Sequence, residues 1–366
     1  MKHLPLLGVL IFTALLFSPV ASMAAQKKKS GPVTSPTIHD DGKVTFRIKT
    51  ANAKKVLITG EVGKHNMVRG DDGIWSVTLE SVKPGLYGYS INIDGVSIVD
   101  PGNMNLKPGR SMRTSILYVP GKASYDFQDV PHGTVHYHRY HSKPINKVRE
   151  MQIYTPPGYE TSKEDYPLLV LQHGHSDSFA SWVGYGKAHW ILDNLIASGK
   201  AKPMIVLMTD GHPIPESYGN GRDPANTEEL RRDLMEAALP MVERLYRVKS
   251  GRENRAIVGL SMGGLHSLTI GLNELDHFAW VGAFSAAVPE LDAVKIALND
   301  SAKTNDQLKL LWIACGKEDF LLVENKRFVA ALKERGLEYE FLITEGKHSW
   351  PVWRDYLAKF APKLFR

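Results

Sequence analysis

The most informative stretch of the chain is RAIVGLSMGGLHSLTI, residues 255–270. Its first four residues predict a buried strand, and the residues after Gly264 predict a helix. Between them Gly259-Leu260-Ser261-Met262-Gly263 follows the pattern G-x-S-x-G. A serine on a tight turn between strand and helix needs small neighbours, so that the helix packs closely and the hydroxyl projects outward. The stretch therefore predicts that Ser261 is a nucleophile.

From residue 147 to residue 366, apolar strand-like runs alternate with helical periodicity. Residues 167–172 and 204–208 are continuous apolar runs, while residues 228–245 repeat apolar positions near every 3.6 residues. This alternation predicts a mostly parallel sheet with helices on both faces, the layout of an α/β hydrolase. In such a sheet the active site lies at the carboxyl ends of the strands.

The preceding region is different. Residues 37–120 contain short alternating strands separated by turn sequences such as Asp71-Asp72-Gly73 and Lys83-Pro84-Gly85. This spacing predicts a small all-β sandwich. We expect residues 26–36 and 121–146 to be linkers.

Residues 1–25 have a basic start, an apolar run and small residues for cleavage, which predicts a secretory signal peptide. A membrane anchor is the rival interpretation, but the apolar run is at the short limit for a span. We therefore expect an exported protein, periplasmic or extracellular, with no integral membrane segment after cleavage. Its single cysteine, Cys315, excludes an internal disulfide and lies in an apolar run typical of a buried position.

The chain has a formal net charge of +6, half of it from Lys27-Lys28-Lys29. No basic helix or basic cluster with interleaved aromatic residues is present, so nucleic acid is not an expected partner. His136, His138 and His141 are clustered, but no carboxylate or cysteine completes a site at ligand spacing, so we expect no metal. The oligomeric state is left open.

A nucleophilic serine needs a base that a third group orients. In α/β hydrolases the acid and then the histidine follow the serine in the chain. Glu318 and Asp319 both follow a predicted strand, and we favour Asp319 as the acid. His348 follows the next strand and is the expected base, whereas His277 precedes both acids and is the weaker choice.

The oxyanion hole requires two backbone N–H groups. We expect them from Met262, directly after the nucleophile, and from His175, in the loop after the strand at 167–172. Trp182 and Trp350 flank the catalytic loops and are predicted substrate contacts, while Trp353 fits the core equally well. Residues 211–227 form a polar loop that either borders the site or is an ordinary surface excursion.

Two resemblances follow from short motifs. The first domain resembles the isoamylase N-terminal, family 48 carbohydrate-binding type of immunoglobulin-like domain, on the motifs Gly73-Ile74-Trp75, Pro84-Gly85-Leu86-Tyr87-Gly88-Tyr89, Asp94-Gly95 and Asp100-Pro101-Gly102-Asn103. Some members bind glucans and many do not. Two interpretations stay open: Trp75 and the tyrosines are core residues of a spacer or active-site wall, or they are exposed and bind sugar.

From about residue 130 to the end, the chain resembles the esterase D-like α/β hydrolases, and within them carbohydrate esterase family 1, the feruloyl and acetylxylan esterases. The motifs are Tyr154-Thr155-Pro156-Pro157-Gly158-Tyr159, Leu171-Gln172-His173-Gly174, Ile191-Leu192-Asp193-Asn194-Leu195-Ile196, Lys202-Pro203-Met204-Ile205-Val206, Gly259-Leu260-Ser261-Met262-Gly263-Gly264 and His348-Ser349-Trp350. The resemblance implies Ser261 as nucleophile, Asp319 as acid and His348 as base. His175 stands where the family often has glycine, and its imidazole is expected to narrow the acyl pocket.

These observations predict an exported serine esterase that needs no metal or cofactor. Its expected partner is feruloylated or acetylated xylan or oligosaccharide. An enterochelin-type siderophore esterase is one alternative. A non-catalytic carbohydrate-binding protein with a catalytically inactive hydrolase fold is another.

Overall fold

The structure, a computed structural model, describes Met1, residues 33–215 and residues 220–366. The predicted signal peptide after Met1, and the predicted linker up to residue 32, lie outside the described residues. So do residues 216–219 of the polar loop.

The N-terminal part of the described chain is all-β. Its strands are β1 (Thr37–Ile38), β2 (Val44–Lys49), β3 (Val56–Gly60), β4 (His65–Asn66), β5 (Val68–Arg69), β6 (Ile74–Leu79), β7 (Gly85–Ile93), β8 (Val96–Ile98) and β9 (Ser115–Val119). They form two antiparallel sheets, one in the order β1-β2-β6-β5 and one in the order β4-β3-β7-β8, with β9 also paired to β7. The immunoglobulin-like assignment and the family 48 relationship stay predictions.

One apolar cluster fills this β domain. Phe46, Ile58, Trp75, Tyr89 and Ile91 belong to it and are all buried. Alternation along the strands explains the cluster, because every second residue of β2 and β7 points to the same side. The structure therefore favours the core interpretation of Trp75 and of Tyr89 over sugar binding through these rings.

The second part of the chain is built on an eight-stranded mixed sheet. Its strands are β10 (Thr134–Ser142), β11 (Lys147–Thr155), β12 (Leu168–Gln172), β13 (Ile205–Thr209), β14 (Arg255–Leu260), β15 (Trp280–Phe284), β16 (Leu310–Gly316) and β17 (Glu340–Thr344). Their order is β10-β11-β13-β12-β14-β15-β16-β17. The first three strands in this order pair antiparallel, and the pairs from β13 to β17 are parallel.

One prediction about this sheet is wrong. Residues 134–142 were expected within a linker, yet they form β10, which pairs with β11 from Thr134 to Ser142. The strand is an exposed edge whose sequence, TVHYHRYHS, lacks the apolar run of a buried strand. Its polar residues follow from that position, because an edge strand has only one neighbour and charged or polar side chains protect its open side.

Helices cover both faces of the sheet. They are α1 (Ser181–Gly184), α2 (Ala188–Ala197), α3 (Pro224–Asp233), α4 (Leu239–Leu245), α5 (Met262–Asn273), α6 (Lys295–Asn299), α7 (Ser301–Gln307), α8 (Leu322–Glu334) and α9 (Trp350–Phe360), with a π-helical turn, Leu234–Ala238, joining α3 to α4. Leu169 and Leu171 of β12 pack with α2 and α9 on one face, while Leu168 and Val170 pack with α4 and α5 on the other. No helix in the described ranges is long and apolar enough to cross a bilayer.

The two domains share a buried interface. Leu86 of β7 and Ile116 of β9 belong to the apolar cluster that contains Trp182 and Tyr185 of the α/β domain. The Tyr185 hydroxyl donates a hydrogen bond to Glu61 of the β domain, and the carbonyl of Tyr185 accepts two from the buried Arg354 guanidinium, at 3.1 and 3.0 Å. The β domain is therefore packed against the α/β domain rather than tethered beside it.

Candidate active site

Ser261 lies on the turn between β14 and α5. It has φ 53° and ψ −115°, a left-handed conformation that side chains rarely adopt. A Cβ atom at Gly259 would lie 2.3 Å from the carbonyl oxygen of Gly263, and one at Gly263 would lie 2.5 Å from that of His173. The glycines of the motif are thus required by close backbone approach, as the sequence predicted.

His348 lies in the loop between β17 and α9, and its Nε2 is 3.0 Å from Ser261 Oγ. The imidazole is held between two aromatic rings, with ring centroids 4.5 Å from Phe320 and 4.9 Å from Trp353. These rings limit the rotation of the imidazole, so Nε2 stays directed at the serine hydroxyl.

Asp319 follows β16 and faces the other side of the imidazole. Its Oδ1 and Oδ2 lie 3.0 and 2.9 Å from His348 Nδ1, and Oδ1 also accepts the Leu321 backbone N–H at 2.9 Å. Burial of the carboxyl opposes its ionisation, but the hydrogen bonds from His348 and Leu321 outweigh this effect, and the pKa of Asp319 is lowered from its ordinary value. The other candidate acid, Glu318, is exposed and lies 3.8 Å from Lys347.

This arrangement defines the proton positions. A carboxylate that accepts from Nδ1 fixes the tautomer in which Nδ1 carries the hydrogen, so Nε2 is free to accept the hydrogen of the serine hydroxyl. The structure therefore brings together three residues that the sequence placed at separate strand ends. His277 is not among them, because its imidazole lies at an exposed position beside Arg255.

The two predicted oxyanion donors flank the nucleophile. Met262 is the first residue of α5, and the loop after β12 passes so close that a Cβ at Gly174 would lie 3.5 Å from Ser261 Cβ. His175 follows directly in this loop. The Met262 and Gly174 backbones therefore lie beside Ser261, at the carboxyl ends of adjacent strands, and the role of the His175 N–H stays a prediction.

His173 is a residue of this region to which the sequence assigned no role. It is buried, its Nδ1 lies 2.7 Å from the Gly174 carbonyl oxygen, and its Nε2 accepts the Gly211 backbone N–H at 2.8 Å. Its ring therefore joins the loop after β12 to the loop after β13. The signal for this role in the sequence is the His173-Gly174 pair directly after β12.

The two tryptophans predicted to contact substrate lie in the core. Trp182 and Trp350 are only 1% and 3% exposed, and their rings pack against each other at 5.1 Å. Trp182 Nε1 donates to the Gln172 carbonyl oxygen at 3.0 Å, which ties the ring beneath the loop after β12. Neither ring presents an open face, so both support the catalytic loops from below.

Phe320 is the aromatic residue that does face solvent here. The residue is 74% exposed, although its ring centroid lies 4.5 Å from that of His348, with the two ring planes tilted by 46°. An exposed apolar ring next to the expected base is a surface on which a planar group can stack. The sequence gives no sign of Phe320, because the pattern of this loop points only to its two acidic residues, Glu318 and Asp319.

The clustered histidines of β10 bind neighbouring side chains. His136 Nε2 lies 3.0 Å from Thr155 Oγ1, and His138 Nε2 lies 2.6 Å from the Tyr246 hydroxyl. Within the described ranges, no group of three or more His, Cys, Asp or Glu side chains is arranged to hold a metal ion. Cys315 is a buried free thiol, as predicted, and burial, together with the nearby Asp319 charge, raises its pKa to about 12.

Comparison with known proteins identifies the family of the α/β domain. The sequence model of the family described as putative esterase matches residues 142–364. A protein of Xylanibacter ruminicola named endo-1,4-beta-xylanase/feruloyl esterase is 32% identical over 345 residues, which cover 90% of this chain and 46% of that relative. The chain thus spans less than half the length of this curated relative.

Two solved structures are similar as well. One, of a ferulic acid esterase, has 28% identity and a TM-score of 0.56, covering 63% of this chain and 97% of the other. The enterobactin esterase of Shigella flexneri has 18% identity and a TM-score of 0.64, covering 88% of this chain and 93% of the other. At that identity the second similarity shows the fold alone.

Proposed function

The chain belongs to the putative esterase family, so its α/β domain is a carboxylic ester hydrolase, and from this premise we propose that it is an exported serine esterase that cleaves feruloyl or acetyl esters on plant cell-wall xylan. One observation carries the chemistry: Ser261 Oγ, the His348 imidazole and the Asp319 carboxylate form a continuous series of hydrogen bonds. This series is what a serine requires to become a nucleophile at neutral pH.

In the proposed mechanism Ser261 Oγ attacks the ester carbonyl carbon while His348 Nε2 accepts the hydroxyl proton. Asp319 stabilises the imidazolium that forms. The negative oxygen of the tetrahedral intermediate accepts hydrogen bonds from the N–H groups of Met262 and His175. His348 then returns the proton to the departing alcohol, which leaves an acyl-enzyme, and water releases the acid by the same steps. All of these groups belong to the chain itself.

The proposed substrate rests on two observations. The curated relative that matches 90% of this chain is named as a xylanase and feruloyl esterase, and a ferulic acid esterase is among the similar structures. The exposed Phe320 ring beside His348 offers a stacking surface for an aromatic acid or for the face of a sugar. We therefore place feruloyl esters before acetyl esters.

Turnover of a substrate series tests the proposal. The purified protein is assayed on methyl ferulate, methyl p-coumarate and an aryl acetate, and Ser261→Ala is compared with Ser267→Ala, which removes a hydroxyl from the helix that follows the nucleophile. We expect Ser261→Ala to lose activity by a factor of at least about 10⁴, because no nucleophile remains, and the Ser267 variant to keep it. Full activity in Ser261→Ala contradicts the mechanism.

A siderophore ester is the second candidate substrate. Its support is a shared fold alone, since the similarity to the Shigella flexneri enterobactin esterase covers 88% of this chain, and thus both domains, at 18% identity. Hydrolysis of a catecholate triester faster than of methyl ferulate supports this candidate. The alternative of a non-catalytic carbohydrate-binding protein is not favoured, because the α/β domain belongs to an esterase family.

Export and domain limits are part of the proposal. We retain residues 1–25 as signal peptide, 26–36 as linker and 37–120 as the β domain. Because β10 belongs to the eight-stranded sheet, we move the start of the esterase domain from residue 147 to Thr134. Sequencing the N-terminus of secreted protein tests the signal peptide, since the mature chain is expected to begin near residue 26.

A further inference from the structure

A segment of the β domain lies directly on the loop that carries His175. Residues 107–110 lie within the connection between β8 and β9, and the Arg110 backbone N–H donates to the Ser176 carbonyl oxygen at 3.1 Å. A Cβ at Gly109 would lie 2.8 Å from the same oxygen, so the two backbones are in contact. The contact joins residues far apart in the chain and belonging to different domains.

Side chains strengthen this contact at both ends. Lys107 Nζ lies 3.3 Å from a carboxylate oxygen of the buried Asp177 and 5.2 Å from the centre of the Tyr185 ring. The Ser181 hydroxyl donates to the Pro108 carbonyl oxygen at 2.9 Å. Burying a carboxylate is costly unless a cation or hydrogen-bond donors lie beside it. The β domain supplies such a cation to Asp177.

The Arg110 guanidinium contacts His175 itself. Its Nη1 donates to the His175 carbonyl oxygen at 3.4 Å and to His175 Nε2 at 3.2 Å. His212 Nε2, from the α/β domain, donates to the same carbonyl oxygen at 2.8 Å. The carbonyl is therefore held by one donor from each domain.

The peptide group that carries the His175 N–H is held from its other side. The carbonyl oxygen of this peptide group belongs to Gly174, and it accepts the Asp177 backbone N–H at 3.1 Å, while His173 Nδ1 lies 2.7 Å from it. Fixing the peptide groups before and after His175 fixes the direction of its N–H. An oxyanion donor is effective only when it is directed before the reaction at the point where the charge develops.

We propose that Arg110, assisted by Lys107, is a positioning residue for the oxyanion hole, so that the β domain forms part of the catalytic unit for every ester substrate. This inference rests on the proposed function. It extends that function by assigning the β domain a role in turnover rather than in polysaccharide binding alone. Arg110 acts through the loop and does not touch the reacting atoms.

A small ester separates these roles. p-Nitrophenyl acetate has no sugar for a β domain to bind, so its turnover reports only on the catalytic unit. Arg110→Ala is compared with Arg110→Lys and with Arg69→Ala, a matched control in the same domain, whose guanidinium donates to the Ala51 carbonyl oxygen at 3.2 Å, outside the site. We expect kcat of Arg110→Ala to fall roughly 10- to 100-fold with KM within about twofold, partial recovery in Arg110→Lys, and no change in Arg69→Ala.

Two results overturn the proposal. One is an Arg110→Ala variant that has the melting temperature of the wild type and an unchanged kcat. The other is a loss confined to feruloylated arabinoxylan, which would assign the segment to polysaccharide binding. If Arg110→Ala does not fold, Lys107→Gln is tested instead. Removing the cation beside Asp177 is expected to lower kcat several-fold, and an unchanged kcat refutes the proposed role. Failure of the proposed function is distinguishable, because the wild-type protein itself would then turn over neither methyl ferulate nor p-nitrophenyl acetate.

Discussion

Ser261 adopts φ 53° and ψ −115°, and replacing it by glycine tests whether the elbow stores conformational strain. A residue with a side chain in such a region costs about 1–3 kcal/mol, and glycine removes that cost. In an ordinary helix, glycine is about 1 kcal/mol less stable than alanine. At Ser261 we therefore expect the glycine variant to be more stable than the alanine variant by about 0–2 kcal/mol.

The comparison of glycine with alanine isolates the backbone. Both variants lose the hydrogen bond between Ser261 Oγ and His348 Nε2, so this loss cancels. The same pair of substitutions at Ser267 is the control, because Ser267 lies within α5 and its hydroxyl donates to the Gly263 carbonyl oxygen at 2.7 Å. There glycine should be the less stable variant by about 1 kcal/mol.

Urea unfolding followed by tryptophan fluorescence gives the free energies of unfolding of all four variants, with the slope m as a check that each unfolds in the same way. The glycine-minus-alanine difference is expected to be about 1–3 kcal/mol more favourable at Ser261 than at Ser267. An equal difference at the two serines would refute the reasoning, because it would mean that the turn is not strained.

Substitutions at Asp319, Gly263 and His266 test the site and its surroundings. Asp319→Asn is expected to lower kcat roughly 10⁴-fold, because the wrong histidine tautomer becomes favoured, whereas Glu318→Gln at the exposed neighbour leaves ester turnover within about twofold. Gly263→Ala places a Cβ 2.5 Å from the His173 carbonyl oxygen, and a fall of about 1–3 kcal/mol or more in the free energy of unfolding is expected from such overpacking; an unchanged melting temperature would contradict it. Burial lowers the pKa of His266 to about 3, from an ordinary 6.5, so the unfolded state binds its proton first as the pH falls. As the pH falls from 7.5 to 5, this histidine should lower the free energy of unfolding by about 2 kcal/mol. If the free energy of unfolding depends on pH in the same way in His266→Gln, His266 is not the cause of that loss.

The sequence was informative about the site because α/β folds place chemistry at strand ends. Ser261, Asp319 and His348 each follow a strand, and the parallel order of those strands brings them to one edge of the sheet. The glycines of the elbow were also predictable, since close backbone approach leaves a direct trace in residue type. The roles of these residues remain proposals, while their proximity is a property of the structure.

Other features left no such trace. Burial of Trp182 depends on a one-turn helix, α1, which is too short to show periodicity. The edge strand β10 lacks an apolar run, so its residues resembled a linker. The contact between Arg110 and His175 spans 65 residues and two domains, and no local pattern encodes a contact of that kind.

Leu86 and Ile116 of the β domain are part of the apolar cluster of the α/β domain, and this has a consequence for engineering. Domains that are joined only by a linker can be exchanged between proteins, because separating them exposes no apolar surface. Here, truncation before Thr134 would expose the apolar surface around Trp182 and Tyr185 to water. An exposed apolar patch of this kind promotes aggregation. Shuffling experiments should therefore move the two domains together, and a shortened esterase should be redesigned at this face with polar residues before it is expressed.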